Sequence, residues 1–241
     1  MGLLKLDKVY TLFETSSYHA AMTVPDKDSA THTIVTALTK AIVEHRLAPG
    51  SKLAEQKIAN QFGVSRTLVR QALFQLSQNR LIRMEPARGA FVATPSVAEA
   101  QQVFAVRRML EAEMTRAFIK GVTPAMIKSL KAHVAQEKAA VQRADVPGRT
   151  ELLGDFHVRM AELMGNAVLA QILNDLISRC SLITLMYQSD SAAEHSHQEH
   201  AAIVKALAAK DEALALALMD AHLHNVEATL IFDPEPKHAK L

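Results

Sequence analysis

At 241 residues the chain is long for one small core and points to two domains, and its 49% apolar and 5% aromatic content with few Gly or Pro to punctuate strands predicts a mostly helical globule. A single cysteine, Cys180, excludes an intramolecular disulfide and a Cys-rich zinc module, and fits a reducing cytoplasm. Net charge is only +2, but residues 31–93 carry nine basic against three acidic side chains (+6), whereas residues 1–30 come to −1 and residues 94–241 to −3, so a polyanionic partner is expected for the front half alone.

Within residues 1–30, Leu3, Leu6, Tyr10 and Phe13 fall at helical spacing, predicting a short amphipathic helix before a polar linker. Asp7 and Glu14 break the apolar run that a secretory signal needs, and Leu6 stands where a myristoylation motif needs Ser or Thr. From Thr31, the spacing of Ile34, Leu38 and Ile42 predicts a helix that ends near LAPGSK. A second helix is predicted from about Ala54 to Phe62, with Ile58, Ala59 and Phe62 inward, stopping at Gly63. The third opens at Ser65, an N-cap residue, and turns Val69, Ala72, Leu73 and Leu76 inward at i, i+3, i+4 and i+7. RLIRMEPARGAFVA then alternates over too few residues for a helix and reads as a β-hairpin with a Pro-Ala-Arg-Gly tip. Two helices joined at a glycine and followed by a hairpin make a winged helix-turn-helix.

Beyond Ala93 no strand pattern occurs. Ser96 and Glu99 form a capping box opening a helix to about Ile119, and Thr123-Pro124 opens the next. Further helices are predicted over about 150–164, 167–188, 192–209 and 211–230. Asn174, Asp175 and Arg179 interrupt the most apolar of them, which marks it as a core helix and not a membrane span. The expected fold is therefore mainly α: a winged helix-turn-helix with a hairpin wing, then an all-helical bundle. The domain plan is an extension (1–30), the DNA-binding domain (31–93), a linker (94–97), the bundle (98–232) and a tail (233–241).

The first turn of the second helix of a helix-turn-helix enters the major groove, where its N–H groups and positive dipole end favour phosphate. Ser65, Arg66, Thr67 and Arg70 occupy that turn: arginine bonds guanine bidentately or clamps phosphate, and the hydroxyls donate to phosphate oxygens. Arg88 and Gly89 at the hairpin tip suit a neighbouring groove, glycine allowing close backbone approach. The bland alternative is a solvated basic face on a small helical domain.

These residues carry a resemblance. LAPGSKLAEQKIANQFGVSRTLVRQALFQLSQNRLIRMEPARGAFV resembles the DNA-binding domain of GntR-family bacterial transcription regulators over about 60 residues, departing at Leu68, where many members have proline, and at Asn79-Arg80, where Gly-Leu-type endings are usual. Residues 97–232 resemble the FadR-type effector domain, FCD, through Arg107-Arg108-Met-Leu-Glu111, Phe156-His157, Gly165-Asn166, Glu199-His200 and Met219-x-x-His222. The resemblance implies a homodimer on a palindromic double-stranded operator. It also implies a divalent metal, zinc or nickel, held by His157, His200 and His222 beside a small carboxylate effector. The family aspartate falls on Leu153 here, and Asp155 projects to the opposite side of the helix, so a site of three imidazoles completed by water or effector oxygen is expected. Arg107, Arg108 and His197 are the candidate effector contacts; the bland readings are an Arg–Glu111 ion pair and a surface histidine.

Each of the three histidines also stands on an apolar helix face, where a lone histidine is commonly a satisfied core residue. A competing class is a metal-dependent hydrolase or lyase, since three imidazoles with open positions can activate water. Against it, no H-E-x-x-H-like base accompanies them and the basic front half is left unexplained. The expectation is a cytoplasmic, non-enzymatic regulator.

Overall fold

The computed structural model describes residues 27–143, 146–187 and 195–230. They divide into two compact units, one ending at Ala93 and the other beginning at Thr94. The predicted helix of Leu3, Leu6, Tyr10 and Phe13 and the predicted tail at 233–241 lie outside the described residues, whereas the polar linker expected before Thr31 is already helical from Lys27.

In the first unit α1 (Lys27–Val43) starts four residues before the predicted Thr31. Ile34, Leu38, Ala41 and Ile42 form its buried stripe. It packs on α3 (Arg66–Gln78), whose Val69, Ala72, Leu73 and Leu76 are fully buried. Burying each valine or leucine among them contributes roughly 1.5–3 kcal/mol. Between them, α2 (Glu55–Phe62) buries Ile58 and Ala59, while Phe62 is only half-buried. Gly63 ends α2 at φ 64°, a conformation glycine takes without a Cβ clash. Ser65 then caps α3 by accepting from the Leu68 N–H at 3.4 Å. The far end of α3 is less ordinary: Arg80 sits at φ 60° in a left-handed turn that glycine normally occupies.

The hairpin of β2 (Ile82–Glu85) and β3 (Gly89–Val92) gains a strand the sequence did not announce. β1 (Lys52–Leu53) pairs with β3, giving antiparallel order β1-β3-β2 with Lys52 opposite Phe91 and Arg83 also opposite Phe91. Two residues are too few to show an alternating pattern, so nothing in composition marks them.

In the second unit all six described elements are helices: α4 (Val97–Gly121), α5 (Pro124–Gln142), α6 (Val146–Leu163), α7 (Ala167–Tyr187), α8 (Ser196–Ala209) and α9 (Glu212–Ala228). Ser96, Thr123 and Asp211 cap α4, α5 and α9 by accepting from the N–H three residues on. α6 begins four residues before the expected Thr150, with Pro147 in its first turn, where a missing N–H costs nothing. The predicted beginning of the next-to-last helix, near Ala192, lies outside the described residues.

α4 packs against α9 and α7, α5 against α6 and α8, and α6 against α7. One core cluster runs from Phe118 and Leu130 through Phe156 and Met160 to Leu207 and Met219. A second joins Phe104 of α4 to Leu176, Cys180 and Ile183 of α7. α7 is long and apolar enough to cross a membrane by length and composition, yet Leu173, Ile177 and Leu182 are buried in the bundle.

α6 and α7 approach closely at Gly154, three residues before His157. A Cβ added there would stand 2.6 Å from Ile177 Cγ2. Alanine in place of a helical glycine ordinarily gains about 1 kcal/mol, but overpacking costs about 1–3 kcal/mol. Gly154→Ala is therefore expected to lower the urea unfolding midpoint, and a variant more stable than the parent would show that the contact yields at no cost.

Candidate functional site

On the first unit, the opening turn of α3 places Ser65, Arg66, Thr67 and Arg70 together at the surface, as the spacing predicts. The structure adds a partner that sequence reasoning overlooked. Glu55, the first residue of α2, accepts from Arg66 Nη2 at 3.1 Å and from Arg70 Nε at 3.0 and 2.9 Å. Its carboxyl is lowered below the ordinary value, first by the Arg70 hydrogen bond, against partial burial, and then by Arg66. Phe74 was also passed over. It is 60% exposed one turn beyond Arg70, on the face shared with Thr67.

Arg88 projects from the hairpin turn, 70% exposed, with Nη1 2.5 Å from Glu85 Oε2. Gly89 follows at φ 98°, a backbone conformation that side chains rarely adopt. Beneath the tip, Lys52, Arg83 and Arg88 place their charges 5.9, 5.7 and 5.3 Å from the centre of the Phe91 ring. The ring's negative face supports these three cations on one small surface.

In the second unit His157 of α6, His200 of α8 and His222 of α9 meet in the bundle core, each at most 3% exposed. One ring nitrogen from each lies within 4.8 Å of the other two, and Nε2 of His200 stands 3.3 Å from Nε2 of His222. Phe156 stacks flat on His200, ring centres 4.0 Å apart, and holds its plane.

Every Nδ1 faces a carboxylate. His200 Nδ1 lies 3.0 Å from both Glu137 oxygens, and His222 Nδ1 lies 2.7 Å from Glu199 Oε2. His157 Nδ1 stands 2.5 Å from Glu111 Oε2, in close contact but not aligned as a hydrogen bond. The carboxylates are held in turn. Arg107 Nε donates to Glu111 at 2.7 Å, His133 Nε2 lies 3.4 Å from Glu137, and Asn225 donates to Glu199 at 2.6 Å. A proton on each carboxylate-facing Nδ1 leaves the Nε2 lone pairs turned toward one another, an arrangement that repels itself unless a cation or a proton stands between them.

Burial dominates the electrostatics. It pushes His157 and His222 down to about 4 and lowers His200, outweighing the opposing pull of Glu111, Glu199 and Glu137. Burial would raise Glu111, yet Arg107 and His157 overcome it and hold the carboxyl at about 2. Near neutral pH the cluster is three neutral imidazoles backed by three carboxylates. The Arg107 side chain is 5% exposed, and besides Glu111 it reaches Cys180 Sγ at 3.5 Å through Nη1, while its buried Nη2 has no hydrogen-bond partner among the described residues.

Of the residues singled out beforehand, the three histidines and Arg107 come together. Arg108 turns instead to Glu227 of α9, and His197 is half-buried in the first turn of α8, outside the triad. Leu153 is half-buried and Asp155 exposed on α6. Glu137 was the carboxylate no motif announced. Its only signal was a glutamate at i+4 from His133 on an otherwise amphipathic helix.

Comparison with known proteins agrees with both halves. The described likeness extends to the transcriptional repressor RspR of Escherichia coli (25% identical over 194 residues, covering 80% of this chain and 85% of that protein). It extends also to the transcriptional regulator LutR of Bacillus subtilis, 26% identical over 207 residues and covering 76% and 93% of the two chains. Among solved structures, a GntR regulator from Rhodococcus sp. RHA1 is 25% identical with a TM-score of 0.72, and E. coli McbR/YncC is 20% identical with a TM-score of 0.74. Each covers 83% of this chain and 96% of its own. Residues 30–92 match the bacterial regulatory proteins of the gntR family and residues 102–225 match the FCD domain, so the chain belongs to the GntR family of transcriptional regulators, of the kind that carries an FCD domain.

Proposed function

We propose that this regulator is a cytoplasmic homodimer that binds a palindromic operator through Ser65, Arg66, Thr67, Arg70, Arg88 and Gly89, and that a small carboxylate bound with a divalent metal in its FCD domain tunes that binding. The sensing half rests on one observation: three buried imidazoles from three helices bring their ring nitrogens together while every Nδ1 faces a carboxylate.

The donor set fits a metal. Nitrogens about 2.0–2.1 Å from a tetrahedral zinc stand about 3.3–3.4 Å apart, and the His200–His222 pair is at 3.3 Å. Imidazole suits zinc and nickel alike. His157, His200 and His222 hold the ion, and Glu111, Glu137 and Glu199 orient the rings. A metal bound there supplies a Lewis-acidic centre for an anionic oxygen. With Leu153 in the family's aspartate slot, this chain offers no carboxylate from that position, which leaves room for water or an effector oxygen. Arg107, with its buried Nη2 unpartnered, is the anion contact best supported by the geometry. Arg108 and His197 are weaker candidates, one engaged by Glu227 and the other outside the triad.

For the DNA contact, each half of the dimer presents one α3, and a two-fold protein matches a two-fold operator. Arg70→Ala is expected to weaken binding to the cognate duplex by about 1–3 kcal/mol at fixed salt, measured by fluorescence anisotropy. Equal affinities would remove Arg70 from the reading surface.

For the metal, plasma emission analysis of chelator-stripped and reloaded protein is expected to find zinc or nickel bound in the parent and lost in His222→Ala. A parent that takes up neither ion would overturn the site. Acid sensitivity gives a separate check. The metal-free protein keeps His157 and His222 neutral down to about 4, whereas an unfolded histidine protonates near 6.5. Stability from these groups is therefore full above about pH 6.5 and falls as pH drops toward 4, because only the unfolded chain takes up protons in that window. The urea midpoint of stripped protein is expected to decline from pH 7 to 5, with a shallower decline in a His157→Gln, His222→Gln double variant.

A further inference from the structure

Glu55 is the only acidic residue between positions 55 and 78, the whole of α2 and α3, and it sits beneath both arginines of the opening turn. Its side chain is 17% exposed, whereas those of Arg66 and Arg70 are 56% and 62% exposed. The contact with Arg70 is made sideways: Nε bonds to both carboxylate oxygens, and among the described residues neither Nη takes a hydrogen-bond partner. Those two Nη groups form the fork that pairs with guanine O6 and N7. An arginine with free torsions loses considerable rotamer entropy on docking, and a side chain already pinned at Nε loses less.

Resting on the DNA-binding reading of α3, we propose that Glu55 is a positioning residue that sets operator selectivity, aiming the Arg70 fork at a base edge and withholding one positive charge from indiscriminate phosphate binding. The trio of Glu55, Arg66 and Arg70 carries a net charge of +1, not +2. Non-specific affinity scales with the charge available to phosphates, whereas a base contact needs geometry. One carboxylate thus suppresses the non-specific term and favours the specific one. Glu55 also lies in the first turn of α2, where any acidic residue favours the helix dipole. A purely helix-stabilising role requires only the charge and makes no use of the bond to Nε.

The test begins by selecting duplexes from a randomised pool with the full-length parent protein, then measures Kd for the selected duplex and for a scrambled duplex across a salt series. In Glu55→Gln the selectivity ratio is expected to fall about fivefold or more, mostly through tighter scrambled-duplex binding, with the scrambled salt slope steeper by about one. In an Arg70→Ala background the same substitution is expected to leave the ratio within about twofold, since its effect passes through Arg70. Glu55→Asp keeps the charge but shortens the reach, so the salt slope is expected to return to the parent value while selectivity stays reduced. Should Glu55→Gln fold poorly, as judged by thermal unfolding, Glu55→Asp decides alone. Parent-like selectivity in Glu55→Asp, or an unchanged ratio in folded Glu55→Gln, overturns the positioning role while leaving α3 as the DNA-binding element. A parent protein that selects no sequence overturns the DNA-binding reading, and this proposal with it.

Discussion

The second unit is organised around three imidazoles that must remain neutral inside an apolar core. Placing one unpaired polar ring there is costly, and placing three together is tolerable only if their hydrogen-bonding edges are satisfied. Glu137 and Glu199 satisfy one edge of His200 and of His222, and Glu111 stands against His157, but the buried Glu111 and Glu137 and the half-buried Glu199 are anions that need support of their own. Arg107 supplies it to Glu111, His133 to Glu137 and Asn225 to Glu199. The network thus draws on α4, α5, α6, α8 and α9, and each helix must keep its rotation for the others to be satisfied. Such networks give conformational specificity more than stability, because apolar residues of equal volume would pack without any desolvation cost.

The surrounding packing serves the same constraint. Phe156 lies flat against His200 and edge-on to His157, so neither ring swings away. Gly154, one turn before His157, lets α6 approach α7 so closely that a Cβ there would stand 2.6 Å from Ile177 Cγ2. Arg107 reaches over the Phe104 ring, which carries its cation through an apolar layer to Glu111.

Much of this was legible beforehand, for identifiable reasons. Caps at Ser65, Ser96 and Thr123 announce helix starts because the chemistry is local, and the structure places all three as acceptors three residues before the N–H they bond. The buried stripe of α3 follows from a 3.6-residue period. The three histidines were recognisable as a group by resemblance, while their apolar neighbours suggested only burial. Legibility ended wherever the cause was tertiary. A two-residue strand such as β1 exists only because β3 offers it an edge. Glu137 looks like any surface glutamate until α8 places His200 against it. Glu55 stands 11 and 15 residues from its two arginines, and no local rule joins them.

Both candidate sites depend on glutamates that need not touch the partner, yet the physics differs between them. Glu55 is shared between two exposed arginines in high dielectric, so the ion pair adds little stability and its consequence lies in the geometry and net charge of the exposed face of α3. Glu111 is fully buried between Arg107 and His157, and its loss would strand a cation in the core. Removing one member of such a buried pair typically costs about 3–5 kcal/mol, whereas the replacement at Glu55 is expected to leave the fold nearly untouched. The same residue type is therefore dispensable to the fold at one site and inseparable from it at the other. On the proposed reading, substitution at Glu55 retunes DNA selectivity at little cost to the fold, whereas substitution at Glu111 removes the partner of a buried guanidinium.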